Sequence, residues 1–128
     1  MMLRERIVVV RHFPEKLAGS ERSAFFSEIK HCVDVDRPSL VLDCSSLARM
    51  DKQIVLLLLC CLEEAMKRNG DVRLAGLSPQ ARAVLKAAGA DILFRFFETT
   101  ADAIASFHSS AMNLPLRVGT QTTGESAV

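Results

Sequence analysis

The chain has 128 residues, a formal net charge of +1 and no Trp or Tyr. This length suits one domain with a single core, and the near-neutral charge argues against a nucleic-acid-binding protein, which usually carries a basic excess. The longest apolar run, Ile54 to Leu62, covers about half of the roughly 20 residues that a membrane-spanning helix needs. The apolar run after Arg6 is too short for a signal peptide. The sequence therefore predicts a cytoplasmic protein with no transmembrane segment.

The first elements are a strand and an amphipathic helix. Arg6 to Phe13 is rich in β-branched residues, which favours a strand, and Pro14 helps to end it. Ser20 is the expected N-cap of a helix that runs to about Val33, because its hydroxyl can accept a hydrogen bond from a free amide of the first turn.

A short buried strand and a long helix occupy the middle of the chain. Leu40 to Asp43 is an apolar run that ends in a carboxylate. Asp51 is a suitable N-cap for a helix over Lys52 to Asn69, and Gly70 is expected to take the left-handed conformation that stops it. The apolar run from Ile54 to Leu62 has no polar face. Near the helix start we expect part of it, especially Val55, Leu56 and Leu59, to contact another chain, and near its end we expect burial beneath neighbouring helices.

The last part of the chain repeats the alternation of strand and helix. Asp71 to Ala75 is predicted as a strand, and Ser78 with Pro79 marks a helix that Gly89 ends. Ile92 to Phe97 is the last predicted strand, and Thr99 or Thr100 caps a final helix that reaches about Ser110. After Val118 the residues are small and polar without periodicity, and we expect residues 112–128 to be a disordered tail after a domain of residues 1–111. The order βαβαβαβα predicts an α/β domain with a mostly parallel sheet.

Cysteine and histidine spacing gives no support for a metal site. The four cysteines, at 32, 44, 60 and 61, form no C-x-x-C pair. We interpret them as buried, reduced side chains, with a redox switch at Cys60 and Cys61 as the alternative. His12, His31 and His108 lie on separate elements, so we expect no metal and no cofactor.

Asp43 at a strand end invites comparison with a phosphoaccepting receiver domain. Such a domain needs an acidic pair after its first strand to hold Mg²⁺, and this chain has Arg11 and His12 there. No Gly-rich phosphate loop or acid–base pair is present either. The sequence therefore predicts that the chain is not an enzyme.

Two stretches resemble the STAS domain family of anti-sigma factor antagonists. LVLDCSSLARMD is similar to the family's strand of the type VLDLSGVxFMD, and the stretch from Asn69 to Phe107 is similar to its GGxLxLxxxSPxVxxxLxxxGLxxxFxxxxxxxxAL pattern. The resemblance implies a STAS-like α/β fold with a four- to five-stranded, mostly parallel sheet and about four helices. It also implies a module that binds an anti-sigma factor with a kinase fold.

The resemblance breaks at the position where the family is switched by phosphorylation. The family's D-S-S-G motif corresponds to Asp51, Lys52, Gln53 and Ile54, so the phosphoacceptor position is Gln53, which has no hydroxyl. A phosphate there would add close to two negative charges. We therefore expect partner binding without the usual serine switch.

The expected partner-binding residues lie in the loop before the long helix and at the helix start. They are Ser45, Ser46, Asp51, Lys52, Gln53, Ile54 and Val55. Capping alone explains Asp51, and local turn bonds explain the two serines equally well, so for these positions both interpretations stay open. The alternative function is a cytoplasmic STAS subunit of a lipid or anion transport complex, and a homodimer is also left open.

Overall fold

The computed structural model describes residues 7–112, with side chains to His108. Four strands, Val8–His12 (β1), Ser39–Asp43 (β2), Asp71–Ala75 (β3) and Arg95–Phe97 (β4), form one parallel sheet in the order β1-β2-β3-β4. Helices Gly19–Cys32 (α1), Lys52–Met66 (α2), Pro79–Ala87 (α3) and Thr100–Met112 (α4) follow the strands in turn. The α/β architecture predicted from the alternating pattern is confirmed. The predicted tail lies outside the described residues except for Met112.

The two faces of the sheet are covered unequally. Side chains that alternate along the strands, among them Leu40, Leu42 and Val72, pack with α1, α2 and α3 in the larger core. The opposite face carries a smaller cluster built on Val41, Ala75, Ala103 and Phe107, so among the described elements α4 is the one that covers it.

A nearly buried arginine anchors α4 to the sheet. Arg73 lies on the α4 face of β3, bonds Asp71 Oδ2 through Nε at 3.1 Å and donates to Ser106 Oγ at 2.7 Å. Its guanidinium also lies 3.9 Å from the centre of the Phe107 ring. These contacts satisfy a charge that would otherwise be costly to bury.

The start of α1 differs from the prediction. The N-cap is Ala18, and Ser20 lies inside the helix. The carboxylate of Glu21 accepts a hydrogen bond from the Ala18 amide at 3.1 Å. This is the bond that the third helical residue makes in a capping box, and it stabilises a helix that begins at Gly19.

The end of α2 also requires a correction. The helix ends at Met66, three residues before the predicted Asn69, and it is Asn69 that takes a positive φ of 62°. The Gly70 amide donates to Ala65 O at 2.9 Å, which satisfies a free carbonyl of the last turn. Gly70 is needed for a different reason, because a Cβ there would collide with the carbonyl oxygen of Pro38.

The predicted strand Ile92 to Phe97 is two elements. Asp91–Leu93 forms a short 3₁₀ helix, and only Arg95–Phe97 pairs with β3. The amide of Leu93 donates to Ala90 O at 3.1 Å, so backbone bonds in this stretch stay local. Ile92 is consequently 83% exposed.

The other helix ends agree with the sequence. Ser78 Oγ accepts from the Ala81 amide at 3.1 Å, and Gly89 follows α3 with φ 74°. Thr99 Oγ1 accepts from the Asp102 amide at 3.0 Å, which selects Thr99 over Thr100 as the cap of α4.

Candidate functional site

The carboxyl ends of the strands bring together groups that are far apart in sequence. In the strand register His12 lies beside Asp43, and Asp43 lies beside Ala75. The loops that follow these strands therefore share one edge of the sheet, where ligands and partners of parallel α/β sheets are usually met.

The loop after β2 is held by its neighbours on both sides. The Cys44 amide donates to Ala75 O at 2.8 Å, and the Ala48 amide donates to Glu15 O at 3.0 Å. Gly76 has φ 74°, and a Cβ added there would lie 3.0 Å from Ser45 Cβ. The loop thus has a defined conformation while Ser45 and Ser46 remain exposed.

Asp43 is the centre of the local hydrogen bonding. Its Oδ1 accepts from the Ser45 amide at 3.0 Å, and its Oδ2 lies 2.9 Å from His12 Nδ1. Partial burial alone would raise the pKa of Asp43, but the bonds from Ser45 and His12 together outweigh it and lower that pKa below its ordinary value. The carboxylate is therefore ionised at neutral pH.

Asp51 acts as the N-cap of α2, as predicted. Its Oδ1 accepts from the Ile54 amide at 2.9 Å. Lys52 and Gln53 follow on the exposed surface, and the first turn holds no acidic side chain. Lys52 offsets the charge of the adjacent Asp51 carboxylate at this end of α2, where the helix N-terminus itself carries a partial positive charge.

Ile54 and Val55 are not surface residues. They are 3% and 4% exposed and belong to the larger core, so we remove them from the expected contact residues. The helical repeat turns these two positions toward the sheet and leaves Leu56, which is 52% exposed, on the outer side. Leu59 is partly buried.

The exposed candidates of the loop after β2 and of the start of α2, together with Leu56, are treated as one surface. We call it the loop–helix surface, and it consists of Ser45, Ser46, Asp51, Lys52, Gln53 and Leu56. All six are exposed.

The cysteines only partly match the prediction of buried side chains. Cys44 and Cys61 are buried, Cys32 is partly buried and Cys60 is exposed on α2. Neighbouring positions on a helix point in different directions, which separates Cys60 from Cys61.

The described part of the chain has neither a cluster of metal-binding side chains nor a membrane-spanning helix. Among residues 7–112 no group of three or more His, Cys, Asp or Glu side chains is arranged to hold a metal ion. No described helix is both long enough and apolar enough to span a membrane.

Comparison with known proteins identifies the family. A profile of the STAS domain family matches residues 3–103. The chain belongs to the STAS domain family. STAS domains occur in anti-sigma factor antagonists and in SulP transporters, and they are generally non-catalytic interaction modules.

Two solved STAS structures show the same fold. One is an anti-sigma-factor antagonist (STAS) domain protein from Planctomyces limnophilus, with a TM-score of 0.69 and 17% identity over 77% of this chain and 89% of that one. The other is the SulP transporter STAS domain from Vibrio cholerae, with a TM-score of 0.65 and 15% identity over 88% of each chain. No match was found among curated protein sequences.

Sequence reasoning missed the bond between His12 and Asp43. The predicted first strand ends at Phe13, so pairing it level with the predicted second strand would have placed Phe13 beside Asp43. In the structure β1 ends at His12, and the register places His12 beside Asp43, with both side chains on the same face of the sheet. The bond therefore depends on a strand end and a register that the residue pattern alone does not define.

Proposed function

We propose that this STAS domain is a non-enzymatic, cytoplasmic interaction module that binds a kinase-type anti-sigma factor or a related regulator. The loop–helix surface is the proposed contact area. The observation that carries the proposal is an exposed apolar side chain, Leu56, one turn along the helix from Lys52. An apolar side chain next to a charge on a fixed backbone suits a protein partner with acidic or carbonyl groups at its rim.

The module binds without the serine switch of the family. Gln53 occupies the acceptor position and its side chain is exposed, so a partner kinase meets an amide there. An amide cannot take a phosphoryl group in the way a hydroxyl does, so the surface gains no negative charge at this position. Phosphorylation at position 53 therefore cannot switch off binding through this surface.

A pair of leucines provides a matched test of the contact area. Leu56 and Leu93 are both 52% exposed, but Leu93 lies in the 3₁₀ helix. Calorimetric titration with the cognate kinase-type regulator should show affinity at least about tenfold weaker for Leu56→Asp, a loss of about 1.4 kcal/mol. Leu93→Asp should bind normally. Equal effects of the two variants would contradict the proposed surface.

A second experiment tests the missing switch. The wild-type chain should remain unphosphorylated at the loop–helix surface when mixed with the regulator and ATP, and Gln53→Ser should gain one phosphate there. Phosphate on Ser45 or Ser46 of the wild-type chain would show that another hydroxyl has taken over the switch.

The alternative is a cytoplasmic subunit of a lipid or anion transport complex that docks through the same surface. The similarity to the SulP transporter STAS domain supports it. Affinity purification of the wild-type chain, with Leu56→Asp as the control, separates the two. Enrichment of a membrane transporter that the variant loses would favour the alternative. Size-exclusion chromatography with light scattering tests whether the chain is a homodimer.

A further inference from the structure

His12 is distinguished from the other two histidines by its carboxylate partner. Its Nδ1 lies 2.9 Å from Asp43 Oδ2 while its side chain is 71% exposed. His31 and His108 are exposed as well, and among the described side chains neither has a carboxylate within bonding distance. The chain thus contains one oriented histidine and two that can serve as internal comparisons.

The bond to Asp43 decides which ring nitrogen of His12 is free to react. An ionised carboxylate can only accept, so Nδ1 must carry the proton. In the neutral ring the lone pair then lies on Nε2. No described residue bonds to Nε2, so this nitrogen faces solvent.

Asp43 itself is poorly placed to react. Both of its oxygens already accept hydrogen bonds, from His12 and from the Ser45 amide, and its side chain is only 16% exposed. It orients and stabilises the ring, in the same way that a carboxylate positions a nucleophilic or basic histidine elsewhere. The pair therefore has a defined nucleophile, Nε2, and a defined supporting group.

We propose that His12 is a phosphoryl acceptor, taking the group on Nε2 from a phosphohistidine of a partner protein. A donor with a phosphorus–nitrogen bond suits this site because the bond formed is of the same kind as the bond broken. This step stands independently of the function proposed above.

The transfer balances in atoms and charge. The Nε2 lone pair forms a bond to phosphorus while the donor's phosphorus–nitrogen bond breaks. The donor ring, protonated on its other nitrogen, keeps that electron pair and leaves as a neutral imidazole. His12 retains the proton on Nδ1 and becomes a phospho-imidazolium ring. The adjacent Asp43 carboxylate stabilises the positive ring by charge and hydrogen bonding.

Phosphorylation would also affect the loop that leads to α2. Asp43 links His12 to the Ser45 amide, so the phosphoryl group would add about two negative charges beside the loop–helix surface. This consequence rests on the proposed function, and reduced binding of the regulator to the phosphorylated chain would measure it separately.

Potassium phosphoramidate is the simplest donor with which to test the acceptor. The full chain is incubated with it at neutral pH, and the sites are mapped by tandem mass spectrometry under basic conditions, which preserve phosphohistidine. Phosphorus NMR then distinguishes Nε2 from Nδ1 products. His12 should be modified several-fold faster than His31 and His108, and His12→Gln should abolish only that site.

The role of Asp43 is tested with Asp43→Asn, which keeps an oxygen to accept from Ser45 but removes the charge. Its circular dichroism spectrum and melting temperature show whether it remains folded. We expect its rate at His12 to fall about two- to fivefold, the effect of an exposed ion pair, with His31 and His108 unchanged. The proposal is overturned if His12 reacts no faster than the other histidines, if Asp43→Asn leaves its rate unchanged, or if Asp43 carries the label.

Discussion

At the residue scale, three acidic side chains fix the backbone of one loop and the starts of two helices. Asp43 fixes the first turn of the loop, Asp51 starts α2, and Glu21 satisfies the first free amide of α1. Each does so by accepting a hydrogen bond from a backbone amide that would otherwise lack one.

The depressed pKa of Asp43 predicts a pH-dependent contribution to stability. A carboxyl group whose pKa is lower in the folded state stabilises the fold above its unfolded pKa of about 4 and loses that contribution as pH falls through the folded pKa. Urea unfolding at about pH 7, 5 and 3 should show a smaller acid loss for Asp43→Asn than for the wild-type chain. If the free energy of unfolding falls equally with pH in both proteins, Asp43 is not the source of this pH dependence.

The cap at Asp51 predicts a specific cost. Asp51→Ala removes the oxygen that accepts from the Ile54 amide and should lower the free energy of unfolding by about 1 kcal/mol in urea titrations. Asp51→Asn keeps an accepting oxygen and should stay close to the wild-type value. If both variants lose the same amount, the charge near the helix end matters more than the cap.

Burial predicts which thiols react. It raises the pKa of Cys44 and of Cys61 to about 12, so neither forms the thiolate at about pH 8 in the folded chain. Iodoacetamide followed by peptide mass spectrometry should modify the exposed Cys60 and spare those two. In denaturant all 4 cysteines should react. Labelling of Cys61 at the rate of Cys60 would indicate that α2 opens locally.

At the element scale, α2 has two faces that its sequence does not distinguish. Leu57, Leu58 and Cys61 face the core, whereas Leu56 and Cys60 lie on the outer face with Lys52 and Gln53. An apolar helix can be covered on one side by its own domain and leave the other side for a partner.

Two leucines two positions apart test this division. Leu58 is 0% exposed, and Leu58→Ala should lower the free energy of unfolding by about 2–5 kcal/mol through lost packing and a cavity. Leu56→Ala should change it by less than about 0.5 kcal/mol. Chemical denaturation followed by circular dichroism measures both. A large loss for Leu56→Ala would mean that this side chain supports the fold rather than a partner contact.

At the scale of the whole molecule, the two faces of the sheet depend on different numbers of helices. The larger core is shared by α1, α2 and α3, so several helices contribute to it. Of the described helices, α4 covers the other face, and its Phe107 is 1% exposed against Val41 and Ala75. Damage to α4 is therefore expected to expose a whole face of the sheet.

Phe107 provides the corresponding test. Phe107→Ala should lower the free energy of unfolding by about 3–5 kcal/mol, since it leaves a cavity under α4 and removes the ring beneath Arg73. Ile92, also a large apolar side chain, is 83% exposed, and Ile92→Ala should cost less than about 0.5 kcal/mol. Urea titrations measure both changes. A small loss of free energy of unfolding for Phe107→Ala would show that α4 contributes little to stability.

Most of the helices and strands could be predicted because the signals that specify them are local. β-branched runs, the caps Asp51, Ser78 and Thr99, and the glycine after α3 each act over a few residues, so their effects do not depend on the rest of the fold. The two motif stretches were likewise enough to recognise the family.

Where neighbouring residues were compatible with two local structures, contacts with distant segments decided which one formed. Gly70 follows a helix end, but the approach of Pro38, from a distant turn, is what requires a glycine there. Ile92 fits a strand, yet β3 pairs only with Arg95–Phe97.

The residues of the candidate site show the same difference between local and long-range information. The sequence by itself determined the domain type, the cap at Asp51 and the absence of a hydroxyl at Gln53, because each is a property of residue identity or of one helical turn. Only the tertiary structure decided that Ile54 and Val55 belong to the core, that Leu56 does not, and that His12 meets Asp43. Burial and strand register depend on how separate segments pack, and no short stretch of sequence contains that information.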